Sequence, residues 1–291
     1  MYTNATNTTC TEDLLQGWAY SLLFLLGFLL NAAALRAFIA RRNSWTDTDI
    51  YMFNLAIADT ALVLFLPFRI YDAFFCLPKT YLCTLLICIH FLNMYASILT
   101  TTAISVHRYL TIKFPLQARS WRRKKETAFA VCLLLWLFLV TICAVFRDDN
   151  APDKLWTCYQ RCKNERLKTQ FVVILLLLGF LVPLIIVVFC SSQMIYILLK
   201  GDDKSEERRN DKSEQKKNIV GMITANLIVF IVCYTPIHVG FLVIFFYNPP
   251  PDWQQLKIPA YVYFLVSEWI ASTNCCLDSF SYCFLMKQFY S

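Results

Sequence analysis

"YMFNLAIADTALVLFLPF", residues 51–68, decides the fold. As a helix the stretch is long enough to cross a hydrocarbon core of about 30 Å. Its one carboxylate, Asp59, falls near the middle, where an unpaired charge is expensive. Working outward, segments 17–35, 80–106, 128–146, 171–199, 219–247 and 258–283 repeat the same apolar length. Lipid offers backbone N–H and C=O groups no partner, so each such segment closes its hydrogen bonds internally as a helix. The expectation is an all-α membrane protein, a seven-transmembrane helix bundle forming one domain over residues 1–291. Within it, 1–16 are an extracellular amino-terminal segment, 17–283 the helix bundle and 284–291 the start of a cytoplasmic tail.

Composition agrees. The chain is 58% hydrophobic and 16% charged, where a soluble domain is about a quarter charged. Basic residues gather in alternate loops. Arg36, Arg41 and Arg42 follow the first span; Lys113, Arg119, Arg122, Arg123, Lys124 and Lys125 the third. Lys200, Lys204, Arg208, Arg209, Lys212, Lys216 and Lys217 follow the fifth. That bias puts the amino terminus outside and makes the net charge of +7 a topology signal rather than a nucleic-acid footprint. The opening "MYTNATNTTCTED" lacks the basic start and apolar centre of a cleavable signal peptide. It carries glycosylation sequons at Asn4 and Asn7, which fit an extracellular position. Of 13 cysteines, Cys10, Cys76, Cys83, Cys158 and Cys162 fall on the oxidising side, enough for two bridges with one left over. The other eight lie in apolar helix and read as small hydrophobes.

Polar residues interrupt several spans: Asn31, Asp59, Asn93, Ser97, Asn274 and Asp278. A buried carboxylate must find a cation, take a proton or gather hydrogen bonds. Either these groups share one polar cavity, or they are interhelical glue of the kind many bundles use. Pro67, Pro183 and Pro236 remove backbone donors inside spans and create bends.

These residues resemble the rhodopsin-like (class A) G-protein-coupled receptors, helix by helix. "GFLLN" ending at Asn31, "NLAIAD" ending at Asp59, "HRY" at 107–109, Trp136, Pro183, "FIVCYTP" at 230–236 and "DSFSY" at 278–282 stand in the family's order. A finer likeness, carried by "LPFRIY", "FCSS" and "NCCLD", is to the purinergic and lysophospholipid branch, and there to the kynurenic-acid-responsive and lysophosphatidylinositol receptors. The resemblance implies a plasma-membrane, multi-pass receptor that binds an extracellular ligand and activates a heterotrimeric G protein of the inhibitory or Rho-activating class, with arrestin as a second partner. It implies a Cys83–Cys158 disulfide, with Cys10 joining Cys162 or Cys76. It makes Ile98, Pro183 and Phe230 the connector between ligand site and G-protein site, with Tyr234 and Tyr282 as moving aromatics. Asp59, Asn93, Ser97, Asn274 and Asp278 match the shell that holds an allosteric sodium ion in relatives. No other cofactor or metal is expected.

Departures fall on the switch. His107 replaces the acid that usually precedes Arg108 and Tyr109, Ser191 stands where a tyrosine is common, and Lys216 stands where some receptors place an acid. Neither His107 nor Lys216 can ion-pair with Arg108, so the usual ionic restraint is expected to be absent. A protonated His107 would repel Arg108 and favour activity; a neutral one would simply hydrogen-bond a loop.

For the ligand, Arg69 is the most informative residue. It lies ten residues beyond Asp59, about 15 Å nearer the outside at 1.5 Å per residue, and a guanidinium there suits a carboxylate or phosphate. It could instead snorkel to lipid headgroups or pair with Glu268. Arg147 and Arg161 are further candidate cations; His90, Phe91, Tyr95 and His238 would line the pocket or pack the core. The kynurenic-acid-type receptors carry an arginine deeper in the third helix where this chain has Met94, which separates the ligands. The expected ligand is thus a small anionic metabolite or a lysolipid. An enzyme is excluded by the lack of a nucleophile elbow, a phosphate-cradling glycine loop or a metal-spaced histidine pair. A transporter or channel using Asp59 and Asp278 is the rival reading, against which stands the lack of internal repeats and of paired broken helices.

Overall fold

The computed structural model describes residues 13–116, 125–147, 151–161, 168–200, 209–247 and 259–288, without the side chains of 156–157, 160–161, 209–215, 247 and 280–288. Asn4, Asn7, Cys10 and Cys162 lie outside the described residues, as do the side chains of Arg161 and Tyr282. Seven long helices carry the chain: α1 Leu14–Ala40, α2 Asp47–Phe75, α3 Tyr81–Lys113, α4 Lys125–Val145, α5 Thr169–Lys200, α6 Arg209–Tyr247 and α7 Pro259–Gln288. Leu155–Thr157 and Gln160–Arg161 form a two-stranded antiparallel ladder in the loop between α4 and α5.

The first six helices are long and apolar enough to cross a membrane. The seventh falls short in hydropathy because Glu268, Asn274 and Asp278 lie inside it. Most helices outrun the apolar segments that predict them, since capping lies in polar residues beyond the apolar run. Asp13 accepts a hydrogen bond from Gln16 N (3.2 Å), starting α1 at Leu14 rather than at 17. Thr46 and Asp49 form a reciprocal capping box, with Asp49 N on Thr46 Oγ1 (3.3 Å) and Thr46 N on Asp49 Oδ2 (2.7 Å), so α2 starts four residues before Tyr51.

Polar side chains tie the helices in pairs. Asn31 Nδ2 donates to Cys275 O (2.9 Å), joining α1 to α7. Trp136 Nε1 donates to Asn54 Oδ1 (2.7 Å) and Asn54 Nδ2 to Thr100 Oγ1 (3.0 Å), joining α4, α2 and α3. The largest apolar cluster, from α3, α5, α6 and α7, buries Ile98, Phe180, Val187, Phe230, Tyr234 and Phe241. Leu15, Trp18, Leu29, Leu134 and Ile185 are exposed on the outside of the bundle, where acyl chains take the place of a protein partner.

One turn of α5, Leu177–Leu181, is wound as a π-helix just before Pro183. There Gly179 approaches α3 so closely that a Cβ would sit 2.5 Å from Tyr95 Cε1. Only glycine lets the two helices meet at that distance.

Candidate functional site

At the outer end, α2 presents Arg69, buried with only 7% of its surface exposed. Its Nη2 donates to Glu268 Oε2 on α7 at 2.7 Å. Tyr159 lies over the guanidinium with its ring centre 3.8 Å from Cζ, and the Tyr20 ring centre is 5.3 Å away on another side. Tyr159 follows Cys158, whose disulfide to Cys83 pins the loop to α3, so the bridge sets the aromatic cover of Arg69. Burial pushes the Tyr159 phenol above its ordinary range, which keeps it neutral beside the cation. His90 Nε2 on α3 stands 3.7 Å from Glu268 Oε1. Tyr20, Arg69, His90 and Tyr159 line one cavity of about 20 Å³. Of the readings open for Arg69, the structure therefore shows pairing with Glu268 rather than snorkelling. Arg147, two residues past the end of α4, is exposed.

On the other side of α3 an apolar cavity of about 40 Å³ lies among α3, α4 and α5, lined by Cys88, Phe91, Tyr95, Phe146, Phe171 and Leu175 among others. Below it, Tyr95 OH and His238 Nε2 are 3.1 Å apart, and His238 Nδ1 lies 2.6 Å from Tyr234 O. A carbonyl can only accept, so Nδ1 carries the proton and Nε2 accepts from Tyr95. Phe180 stacks on the His238 ring at 4.1 Å. The predicted pocket residues Tyr95 and His238 thus form one buried polar link between α3 and α6, beneath the π turn of α5.

In mid-bundle Asp59 is fully buried; its Oδ1 accepts from Asn93 Nδ2 (3.0 Å) and its Oδ2 has no hydrogen-bond partner among the described residues. Ser97 Oγ and Tyr234 OH are also buried without one. Asn274 Nδ2 donates to Asp278 Oδ2 at 2.6 Å. The family-implied sodium fits this donor set, because unsatisfied oxygens of a carboxylate and a hydroxyl suit a hard cation. Ser279, where the family has proline, donates its hydroxyl to Asn31 Oδ1 (3.1 Å), a bond proline could not make.

At the inner end a cavity of about 40 Å³ runs between Arg108, Ser191, Asn226, Tyr234, Asn274 and Asp278, room for roughly three waters at about 10–15 Å³ each. Arg108 Nη2 is buried there without a hydrogen-bond partner among the described residues, as the missing acid implies. Tyr109 OH accepts from Lys113 Nζ (2.6 Å) and its ring meets Phe189 edge-on. His107 does something else. Its Nε2 lies 3.3 Å from Asp47 Oδ2, at the first turn of α2. A carboxylate only accepts, so Nε2 carries the proton. Neither a loop contact nor repulsion of Arg108 describes this. Asp47 was the residue that sequence reasoning passed over, together with Tyr20 and Tyr159. The signal for Asp47 was the pair of acids in "WTDTD": Asp49 is consumed by the capping box, leaving Asp47, the first of the two, to meet His107 on α3.

A seven-helix bundle with a disulfide-tethered outer loop, a buried mid-span acid and an inner arginine whose Nη2 is buried defines a membrane receptor. The model of the 7 transmembrane receptor (rhodopsin family) matches residues 30–282, and the chain belongs to that family. It is 33% identical to G-protein coupled receptor 55 of Homo sapiens over 271 residues, 91% of this chain and 83% of that one. It is 35% identical to G-protein coupled receptor 35 of Homo sapiens over 298 residues, 98% and 91% of the two. With Lysophosphatidic acid receptor 4 of Homo sapiens the identity is 31% over 302 residues, 98% and 80%. The chain is a G-protein-coupled receptor, multi-pass in the plasma membrane, and not an enzyme.

Proposed function

We propose that the receptor responds to an extracellular anionic ligand, a carboxylate- or phosphate-bearing small molecule or lysolipid, and activates a heterotrimeric G protein of the inhibitory or Rho-activating class. The observation that carries this reading is Arg69: a guanidinium buried on the outer side, bordering a cavity under an aromatic cover and compensated by Glu268. The name of Lysophosphatidic acid receptor 4, a phosphate-bearing lysolipid's receptor, supports the same chemistry. Within the bundle, Tyr95 and His238 stand between the outer site and the Ile98–Phe230 core, so a ligand that shifts α3 against α6 moves the packing above Tyr234. Pro183 supports that core from α5. Inward of it, Asp59, Asn93, Ser97, Asn274 and Asp278 would hold a sodium ion, which favours the resting packing as an allosteric counter-ligand.

The test is a screen of acidic metabolites and lysolipids for G-protein activation in cells expressing the chain, repeated with Arg69→Ala at matched surface amount. Loss of a buried charged anchor costs about 2–5 kcal/mol, a potency loss of roughly thirtyfold or more. Unchanged potency in Arg69→Ala would remove Arg69 from the ligand site.

A further inference from the structure

Glu268 has two basic neighbours, one on each carboxylate oxygen: Arg69 Nη2 at 2.7 Å from Oε2 and His90 Nε2 at 3.7 Å from Oε1. Tyr159 and Tyr20 already cover the guanidinium, so an incoming anion cannot use its face and must take the N–H edge. Glu268 already takes that edge at Nη2. The cavity beside it, about 20 Å³, has room for one or two waters and none for a phosphate or carboxylate group unless a side chain moves.

We infer that Glu268 is a resident competitor, a carboxylate of the receptor itself that occupies Arg69 in the resting chain and passes to His90 when a ligand anion takes its place. The inference rests on Arg69 as the ligand anchor. It explains how a buried cation stays compensated without ligand, because an unpaired guanidinium at this depth would be costly. The resting pair becomes Arg69–ligand plus Glu268–His90, with His90 taking up one proton as the anion binds, so that no charge is left alone. Affinity is then a difference between two anions competing for one guanidinium. A phosphate monoester, with more charge and three acceptor oxygens, displaces Glu268 more readily than a monocarboxylate does. Glu268 thus sets both a threshold and a preference.

The experiment measures binding of 1-oleoyl-lysophosphatidate, kynurenate and neutral 1-oleoylglycerol to the purified full chain, by the shift in unfolding temperature and by nucleotide exchange on added G protein. Glu268→Gln removes the competing charge and should raise apparent affinity for the anions about tenfold or more, while leaving oleoylglycerol unaffected. His90→Ala removes the landing place and should lower anion affinity several-fold. Should Glu268→Gln fail to fold, Glu268→Asp, with a shorter reach, should shift the anions in the same direction by less. Loss of anion binding in Arg69→Ala, with no gain in the Glu268 variants, would overturn the exchange but leave the anchor. Full anion binding in Arg69→Ala, or no binding of either anion to the wild-type chain, would overturn both.

Discussion

At the scale of single residues, the replacement of an acid by His107 matters less for what it fails to do to Arg108 than for what it does to Asp47. The acid has moved from α3 to the first turn of α2, where the helix dipole also favours negative charge. The restraint is a hydrogen bond between α2 and α3, not an ion pair within α3, and hydrogen bonds to charged groups contribute about 1.5–3 kcal/mol. Removing either partner should therefore loosen the inner junction and raise ligand-free nucleotide exchange roughly tenfold, as each 1.4 kcal/mol is a factor of ten. Asp47→Ala and His107→Ala should each do this, and the double variant should go no further than either alone. His107→Asp should also raise the basal rate, since it sets two carboxylates against each other. Exchanging the pair, Asp47→His with His107→Asp, should return the rate toward wild type. Purified variants at matched amounts decide it; additive single effects would show that the two residues act separately. The histidine was visible in the sequence. Its partner was not, because 60 residues separate them and only the packing of two helix ends brings them together.

At the scale of elements, caps and close approaches decide what the apolar runs leave open. Apolar length located every span, but the helix ends depend on Asp13, Thr46 and Asp49, polar residues that a hydropathy reading assigns to loops. The π turn at Leu177–Leu181 was illegible for the same reason: nothing in a run of leucines marks one extra residue per turn. Gly179 is its one sign. Gly179→Ala should push Tyr95 from its place against His238 and cost about 1–3 kcal/mol of stability, as overpacked cores do. The unfolding temperature of the detergent-solubilised chain should fall, and ligand response with it. On α7, Ser279→Ala removes the hydroxyl that satisfies buried Asn31 Oδ1 and should cost about 1–3 kcal/mol. An unchanged unfolding temperature in Ser279→Ala would mean that the α1–α7 tie is held by Asn31 and Cys275 O alone.

At the scale of the whole molecule, topology and class were legible because lipid leaves so few choices: seven apolar lengths, alternating basic loops and acids inside the spans admit few other folds. The Cys83–Cys158 bridge expected from the family is present. Cys76 is disulfide-bonded too, while Cys10, its candidate partner, lies outside the described residues. The chemistry of the ligand site was only partly legible. Arg69 announced itself as a cation in apolar sequence, with Glu268 open as its partner and His90 as a pocket residue, whereas Tyr20 and Tyr159 reach it from α1 and a loop. Sodium offers a check on the middle layer. Raising sodium at constant ionic strength should lower basal exchange by the wild-type receptor and leave Asp59→Asn indifferent; equal sensitivity of the two would remove Asp59 from the cation's shell. The central claim is that an anion arriving at Arg69 outside is read by a G protein inside. It is tested most directly by nucleotide exchange on purified G protein, driven by the purified receptor in nanodiscs with oleoyl-lysophosphatidate or kynurenate. The account predicts anion-dependent acceleration by the wild-type chain and at least a thirtyfold loss of potency in Arg69→Ala. Acceleration that survives Arg69→Ala undiminished would contradict it.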